Sequence, residues 1–305
     1  MDNDISIALA TYNGEKYINE LLNSINQQTY KNFILNICDD GSTDNTVNII
    51  LNHPLFLNGK AIIHSCDGGL GALRNFKRTI TYCNTEYICP CDQDDYWEPA
   101  KLETLYRIMK EKEAKQNKPI LIFSDLEIVD SKLNCIHQSF YSVSNKSNEC
   151  FNPEDFLISN HIPGCVMMFN HELKMIFEPI PDDVRMHDWW IALIAAYYGE
   201  IFYCNTPLIK YRQHGGNVVG ASGMLNFGGI QLSVLKNIPE SLRRSKNITR
   251  RFSERYKSLP KTSNKHQKFL DLALGEISLR NRFSLLKSSK SGEASLLKNI
   301  VWWFI

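Results

Sequence analysis

The chain has 305 residues, enough for one sizeable core with an appendage or for two small domains. Hydrophobic residues make up 43% and aromatic residues 11%, which excludes a disordered or fibrous chain. The net charge of +1 names no partner, but it is unevenly spread: residues 236–305 carry 16 Lys/Arg against 5 Asp/Glu, leaving 18 against 28 in residues 1–235. An acidic body with a basic end suggests that the end faces something anionic.

Ile5–Ala10 is a short apolar run that stops at Thr11-Tyr12-Asn13-Gly14. Tyr17, Ile18, Leu21, Leu22 and Ile25 then recur at helical spacing. Phe33–Cys38 reads as a second strand closed by Asp39-Asp40-Gly41-Ser42, with Ser42 or Thr43 capping the next helix. Ala61–His64 is a third strand. A Gly-rich turn at residues 68–71 and a helix from about Ala72 to Cys83 follow. Tyr87–Cys91 runs into Asp92-Gln93-Asp94-Asp95-Tyr96-Trp97, Pro99 opens a helix, and Ile120–Ser124 is a fifth strand.

Farther on, Pro153–Ile158 reads as a short helix, Cys165–Asn170 as a strand, His187–Tyr198 as a helix and Glu200–Asn205 as a strand. Residues 211–217 read as a polar, Gly-rich loop, and from about 230 the pattern is helical and basic.

Regular alternation of apolar strands and helices predicts an α/β fold, a mostly parallel central sheet flanked by helices with a helical C-terminal extension. The expected division is a sheet-bearing domain over 1–230, with a regular half to about 125 and a less regular half beyond it, followed by a basic helical region over 231–305.

Ligands of such sheets sit beyond the carboxyl ends of the strands. Here those ends carry Thr11-Tyr12-Asn13, Asp39-Asp40, Asp67-Gly68 and Asp92–Asp95. Turns alone favour Gly, Asn and Asp, but carboxylates crowded on one rim repel each other unless a cation relieves them. Asp92 and Asp94, two residues apart at a strand end, can share a Mg²⁺ or Mn²⁺ ion whose other ligands are phosphates. Asp40 is placed to accept hydrogen bonds from a nucleobase, or else to cap the following helix. Thr11, Tyr12 and Asn13 can bind a base or ribose edge, or form a simple turn. Glu15 is a ribose contact or a helix-start carboxylate.

Asp188, opening a helix, suits a general base, and also the bland role of an N-terminal helix carboxylate. Trp189 and Trp190 offer either a stacking surface for a sugar ring or core packing. His214 can touch a diphosphate or the metal, or simply be exposed; Arg212 beside it suits phosphate.

Nine cysteines without regular spacing argue against a disulfide framework, and Cys89-Pro90-Cys91 has no second pair to complete a zinc site. They read as small hydrophobes in a reducing cytosol. The start Met-Asp-Asn-Asp is no signal peptide, and no apolar run approaches the ~20 residues that span a bilayer. A cytoplasmic protein, soluble or peripheral on the inner face of the cell membrane, is expected.

Ile5–Asn13, Asp39-Asp40-Gly41-Ser42-x-Asp44 and Asp92-Gln93-Asp94-Asp95-x-Trp97 together resemble the family-2 glycosyltransferases of the GT-A fold, closest to the bacterial rhamnosyltransferase-like members. His187–Trp190, Tyr211–Asn217 and Gly164–Asn170 resemble later motifs of that branch, the last an acceptor-side segment. The resemblance runs in order over roughly residues 4–220.

It implies that Thr11, Tyr12 and Asp40 hold the nucleotide, that Asp92 lies near ribose and metal, and that Asp94 binds the metal. Asp188 would be the base, and Arg212 and His214 would lie over the diphosphate. Arg74 and Asn75 would border the donor pocket. The implied activity is an inverting transfer of one sugar, L-rhamnose from dTDP-rhamnose or a hexose from a UDP-linked donor, to a hydroxyl of a glycan or polyprenyl-linked acceptor in bacterial surface polysaccharide synthesis.

Two departures stand out. His187 replaces the family's usual Glu before the base, and the Gln-x-x-Arg-Trp motif of processive synthases is absent.

Two rivals read less well. A sugar nucleotidyltransferase would carry basic residues in the first Gly-rich loop, and Thr11–Gly14 has none. A non-catalytic sugar-nucleotide-binding protein predicts lost carboxylates, whereas Asp92, Asp94 and Asp188 are present.

The basic region includes Arg243, Arg244, Lys246, Arg250, Arg251, Arg255 and Lys257, and ends in Trp302-Trp303-Phe304. It is expected to meet an anionic membrane surface. No nucleic-acid-binding motif appears.

Overall fold

A computed structural model describes residues 3–115, 118–144, 153–157, 160–214 and 247–255. Its nine strands form one sheet in the order β3-β2-β1-β4-β8-β6-β9-β5, with β7 paired to β6. The first half follows the βαβ pattern: β1 (Ile5–Thr11), α1 (Ile18–Asn26), β2 (Phe33–Asp39), α2 (Thr46–Asn52), α3 (Pro54–Leu57), β3 (Ala61–His64), α4 (Ala72–Thr81) and β4 (Tyr87–Asp92). The pairs β1–β2, β2–β3 and β1–β4 are all parallel. β1 is buried along its whole length, as a strand covered on both faces must be. The apolar stripe of α1, with Ile18, Leu21, Leu22 and Ile25 buried, covers part of it.

The second half comprises β5 (Tyr96–Trp97), α5 (Lys101–Glu113), β6 (Ile120–Val129), β7 (Cys135–His137), α6 (Phe140–Val143), α7 (Pro153–Phe156), a 3₁₀ turn (Gly164–Val166) and β8 (Met167–Asn170). α8 (His171–Phe177), α9 (His187–Tyr198) and β9 (Glu200–Arg212) complete it. β8 enters antiparallel between β4 and β6, while β6 and β9 pair in parallel. Residues 247–255 form a tenth helix, α10.

Several boundaries differ from expectation. The helix after β2 starts at Thr46, and its N-cap residue is Asn45 rather than Ser42 or Thr43. Those two side chains are drawn to Asp39 and Asn13 instead. The strand expected from Cys165 begins at Met167, because Gly164–Val166 winds into the 3₁₀ turn. Tyr211 and Arg212, expected in a loop, are the last residues of β9, paired with Ile128 and Val129. Ile158, Gly215–Asn217 and the basic region other than α10 lie outside the described residues.

Candidate active site

The ends of β1, β2 and β4 converge because they are adjacent parallel strands. The first cluster is tied together by the Asp39 carboxylate. Its Oδ2 accepts from the Thr11 hydroxyl (2.7 Å), and its Oδ1 accepts from the Ser42 amide (2.7 Å) and the Gly41 amide (3.0 Å). Asn13, at φ +46°, donates its amide to Ser42 Oγ (2.8 Å) and accepts from the Thr43 amide (2.8 Å). Glu15 accepts from the Asn45 amide (3.0 Å). Tyr12, 54% exposed, is left on the rim.

Asp40 is buried, and its oxygens accept from the amides of Leu70 (2.9 Å) and Gly71 (2.7 Å). It therefore holds the Gly-rich turn at the start of α4, and the expected cap role fails because Asn45 is the N-cap residue of α2. Asn75 is likewise buried and structural. Its amide donates to the carbonyls of Thr11 and Cys38 (both 3.1 Å), stapling β1 to β2. Arg78, which the sequence reading passed over, donates to Asn75 Oδ1, to the Asp39 and Asp67 carbonyls and to Asp40. Arg74 points away from this cluster, half exposed and 3.9 Å from Asp182.

Gln93 joins the first cluster to the second. Its side-chain amide exchanges two hydrogen bonds with the Tyr12 backbone, each 2.9 Å. Position 14 must be glycine for this, since a Cβ there would lie 2.4 Å from Gln93 Oε1.

The second cluster is acidic. Ligand atoms of Asp92, Asp95 and Cys165 lie within 4.8 Å of one another. Asp95 is 1% exposed, and neither of its oxygens has a hydrogen-bond partner. Burial pushes Asp92 up to about 7, with Asp94 and Asp188 adding to the rise; burial likewise raises Asp95 well above the carboxylate range. Lys101, buried over the Trp97 ring at 3.3 Å, donates to the Cys165 carbonyl (2.8 Å) and only partly offsets this negative charge.

Crowded carboxylates of this kind, with Asp95 left without a hydrogen-bond partner, fit a hard divalent cation. The Cys165 thiol, raised well above its ordinary value by burial, stays neutral. Asp95 thus joins the expected Asp92 and Asp94 as a candidate ligand. Asp94 pairs with His214, Oδ2 to Nε2 at 2.8 Å. His214 also packs on Tyr17 with ring centroids 4.8 Å apart.

Asp188 stands in the first turn of α9, half-buried, and its charge reaches Asp92. Gly164 explains how the two come close. A Cβ on it would lie 3.2 Å from Asp188 Cβ and 2.9 Å from His187 Nε2. His187 is buried against Phe76 (centroids 4.0 Å), and neither ring nitrogen has a hydrogen-bond partner. Burial pushes it down to about 3, so it is neutral at any working pH.

Two expectations fail on the geometry. Trp189 and Trp190 present no stacking surface: both are buried, donating their indole N–H groups to the carbonyls of Phe156 (2.6 Å) and Phe177 (3.0 Å). α9 is apolar nearly all round, the mark of a core helix, and that signal was present in its sequence. Arg212 is 1% exposed and holds protein groups in place of a diphosphate. It donates to the Asp94 carbonyl (2.9 Å), the Ser131 carbonyl (2.8 Å) and Glu20 (2.5 Å), with its guanidinium 4.4 Å over Tyr17.

A model of the family described as glycosyl transferase family 2 matches residues 6–172. The chain is 30% identical over 244 residues to the dTDP-rhamnosyl transferase RfbG of Shigella flexneri, covering 75% of this chain and 79% of that one. It is 29% identical over 221 residues to an uncharacterized glycosyltransferase of Rickettsia felis, covering 69% of this chain but only 34% of that protein's length. Among solved structures, S. aureus TarS 1–349 in complex with UDP-GlcNAc is similar with a TM-score of 0.56 at 17% identity, covering 98% of this chain and 89% of that chain. The mannosyltransferase PcManGT from Pyrobaculum calidifontis, in complex with GDP-Man and Mn²⁺, gives 0.53 at 16% identity, covering 100% and 88%. At these identities the likeness is one of fold, the GT-A arrangement.

Proposed function

Because this chain belongs to glycosyl transferase family 2 and so takes a nucleotide-sugar donor, we propose that it is a metal-dependent, inverting transferase adding one sugar per encounter. The observation that carries this reading is the crowding of the Asp92 and Asp95 carboxylates, Asp95 buried without a hydrogen-bond partner, within reach of the charge of Asp188.

Tyr12 and Asn13, exposed on the rim, line the nucleotide side; Thr11, Asp40 and Asn75 act behind them by fixing the loops. Asp92, Asp94 and Asp95, with His214, would hold Mn²⁺ or Mg²⁺, which supplies charge neutralisation to the departing diphosphate. Asp188 accepts the proton of the acceptor hydroxyl as that oxygen attacks the anomeric carbon. One base and one displacement invert that centre.

The proposed donor is dTDP-L-rhamnose, supported by the similarity to RfbG. The proposed acceptor is a glycan or lipid-linked hydroxyl in bacterial surface polysaccharide assembly. No helix among the described residues is long and apolar enough to cross a membrane. Any approach to an anionic leaflet is assigned to basic residues of 236–305 other than Arg250, Arg251 and Arg255, which bind this protein itself.

A thermal-shift panel of nucleotide-diphosphate sugars, with and without Mn²⁺ or Mg²⁺, tests the reading. One donor should raise the melting temperature in a metal-dependent way, the shift should vanish in Asp94→Ala, and that donor should support transfer. No shift with any nucleotide sugar would sink it.

A further inference from the structure

α10 comes from the basic region expected to face a membrane, yet its arginines, with Arg250 and Arg251 45% and 42% exposed, pair with this protein's own groups. Arg251 Nε meets both oxygens of Asp183 (2.9 and 2.8 Å), and Arg250 adds a contact at 3.7 Å. The Arg255 guanidinium donates to the carbonyls of Ile176 (3.3 Å), Phe177 (3.0 Å), Pro179 (2.6 Å) and Glu178. Ile176 and Phe177 are in the last turn of α8, whose carbonyls lack intrahelical partners, and Glu178 and Pro179 follow directly after it. Ile248 and Phe252 are fully buried, Phe252 against Tyr197 of α9 (4.6 Å).

The same anchors carry α9. The Phe177 carbonyl accepts from both Arg255 and the Trp190 indole. The Phe156 carbonyl accepts from Trp189, and its neighbour Leu157 accepts from the Thr249 hydroxyl (2.9 Å). On the other side, Asp182 is held by Lys77 of α4 at 2.8 Å. The segment between α8 and α9, which delivers Asp188, is thus gripped through adjacent carboxylates, by the donor-side helix on one flank and by α10 on the other.

We propose that α10 is a positioning element of the catalytic unit, with Arg251 and Arg255 fixing the start of α9 and hence the height of Asp188 over the donor. The proposal rests on Asp188 being the base.

In the full chain, Asp183→Asn and Arg251→Gln should each lower kcat about tenfold, the scale of a small misplacement of a reacting group. Donor KM, nucleotide affinity and melting temperature should hold, because the donor cluster is untouched, and Arg251→Lys should recover most of the rate. Amide exchange over residues 184–190 should quicken in the first two variants and not in Arg251→Lys. Unchanged kcat and unchanged exchange would overturn the proposal, as would losses of kcat, donor affinity and melting temperature that move together. A wild-type chain that transfers no sugar would instead refute the transferase reading; the exchange measurement then still decides whether α10 holds α9.

Discussion

Single residues in this site are constrained by what sits a few tenths of an ångström away. Gly164 meets His187 and Asp188 too closely to accept a Cβ (2.9 and 3.2 Å), and Phe76 stacks on the His187 ring. Gly164→Ala must therefore displace Asp188, the proposed base; turnover should fall at least about tenfold, with a stability cost of about 1–3 kcal/mol. Steady-state kinetics beside urea unfolding would separate the two effects, and wild-type turnover in the variant would contradict the geometry.

Asp92 and His187 also shape stability against pH, in opposite directions. The raised Asp92 carboxyl favours the folded chain at low pH, and that contribution is lost as pH rises from about 4 through about 7. His187 titrates near 3 when folded and near 6.5 when unfolded, so its contribution is present above about 6.5 and lost as pH falls toward 3. Relative to wild type, the denaturant midpoint should fall more steeply in His187→Leu as pH rises from about 4 to 7, and less steeply in Asp92→Asn. Midpoint profiles that superpose on wild type in both variants would refute these assignments.

At the scale of elements, the first half was legible because its chemistry is local. Fully apolar strands, Gly and Asp at their ends and helical spacing between them define βαβ units without long-range information. The second half depends on pairing. β5 has two residues and β8 four, too short for a period to register. β9 runs on to Arg212 through register shifts against β6 around Asp125, where Asn205-Thr206-Pro207 imitates a turn.

The same difference governs the site residues. The places of Asp92, Asp94 and Asp188, at a strand end and a helix start, were readable in the sequence, whereas the roles of Gln93, Asp95, Arg78 and Arg212 are set largely by partners 38 to 192 positions away in the chain, beyond any local pattern. Arg212 is the clearest example, since β9 delivers it to Glu20, Ser131 and Asp94 at once. Lysine cannot span three such partners, so Arg212→Lys should cost about 3 kcal/mol of stability. A residue that merely gripped a diphosphate would instead raise donor KM and leave the unfolding midpoint alone.

For the whole molecule, the sheet places the proposed donor cluster at β1, β2 and β4 and the proposed base, Asp188, on a helix beyond β8, so the proposed reaction would occur at the seam between a parallel half and a mixed half. The expected boundary near residue 230 takes a different meaning once α10 is seen packed on α9. A chain ending at residue 246 loses the burial of Ile248 and Phe252 and uncaps the end of α8. It should melt at lower temperature than the full chain; equal melting temperatures would show that α10 contributes nothing to the fold.

Arg78 carries a consequence for motion. One guanidinium binds the Asp39 and Asp67 carbonyls and the Asp40 carboxylate, which in turn holds the amides of Leu70 and Gly71. The loops after β2 and β3 are thereby made into one opening unit, so neither can loosen alone. The amides of Leu70 and Gly71 should exchange with solvent at the rate of the α4 interior, slowly for a glycine turn at a surface. In Arg78→Met they should exchange freely while α1 keeps its protection, and the nucleotide side of the site would then exist only when ligand assembles it.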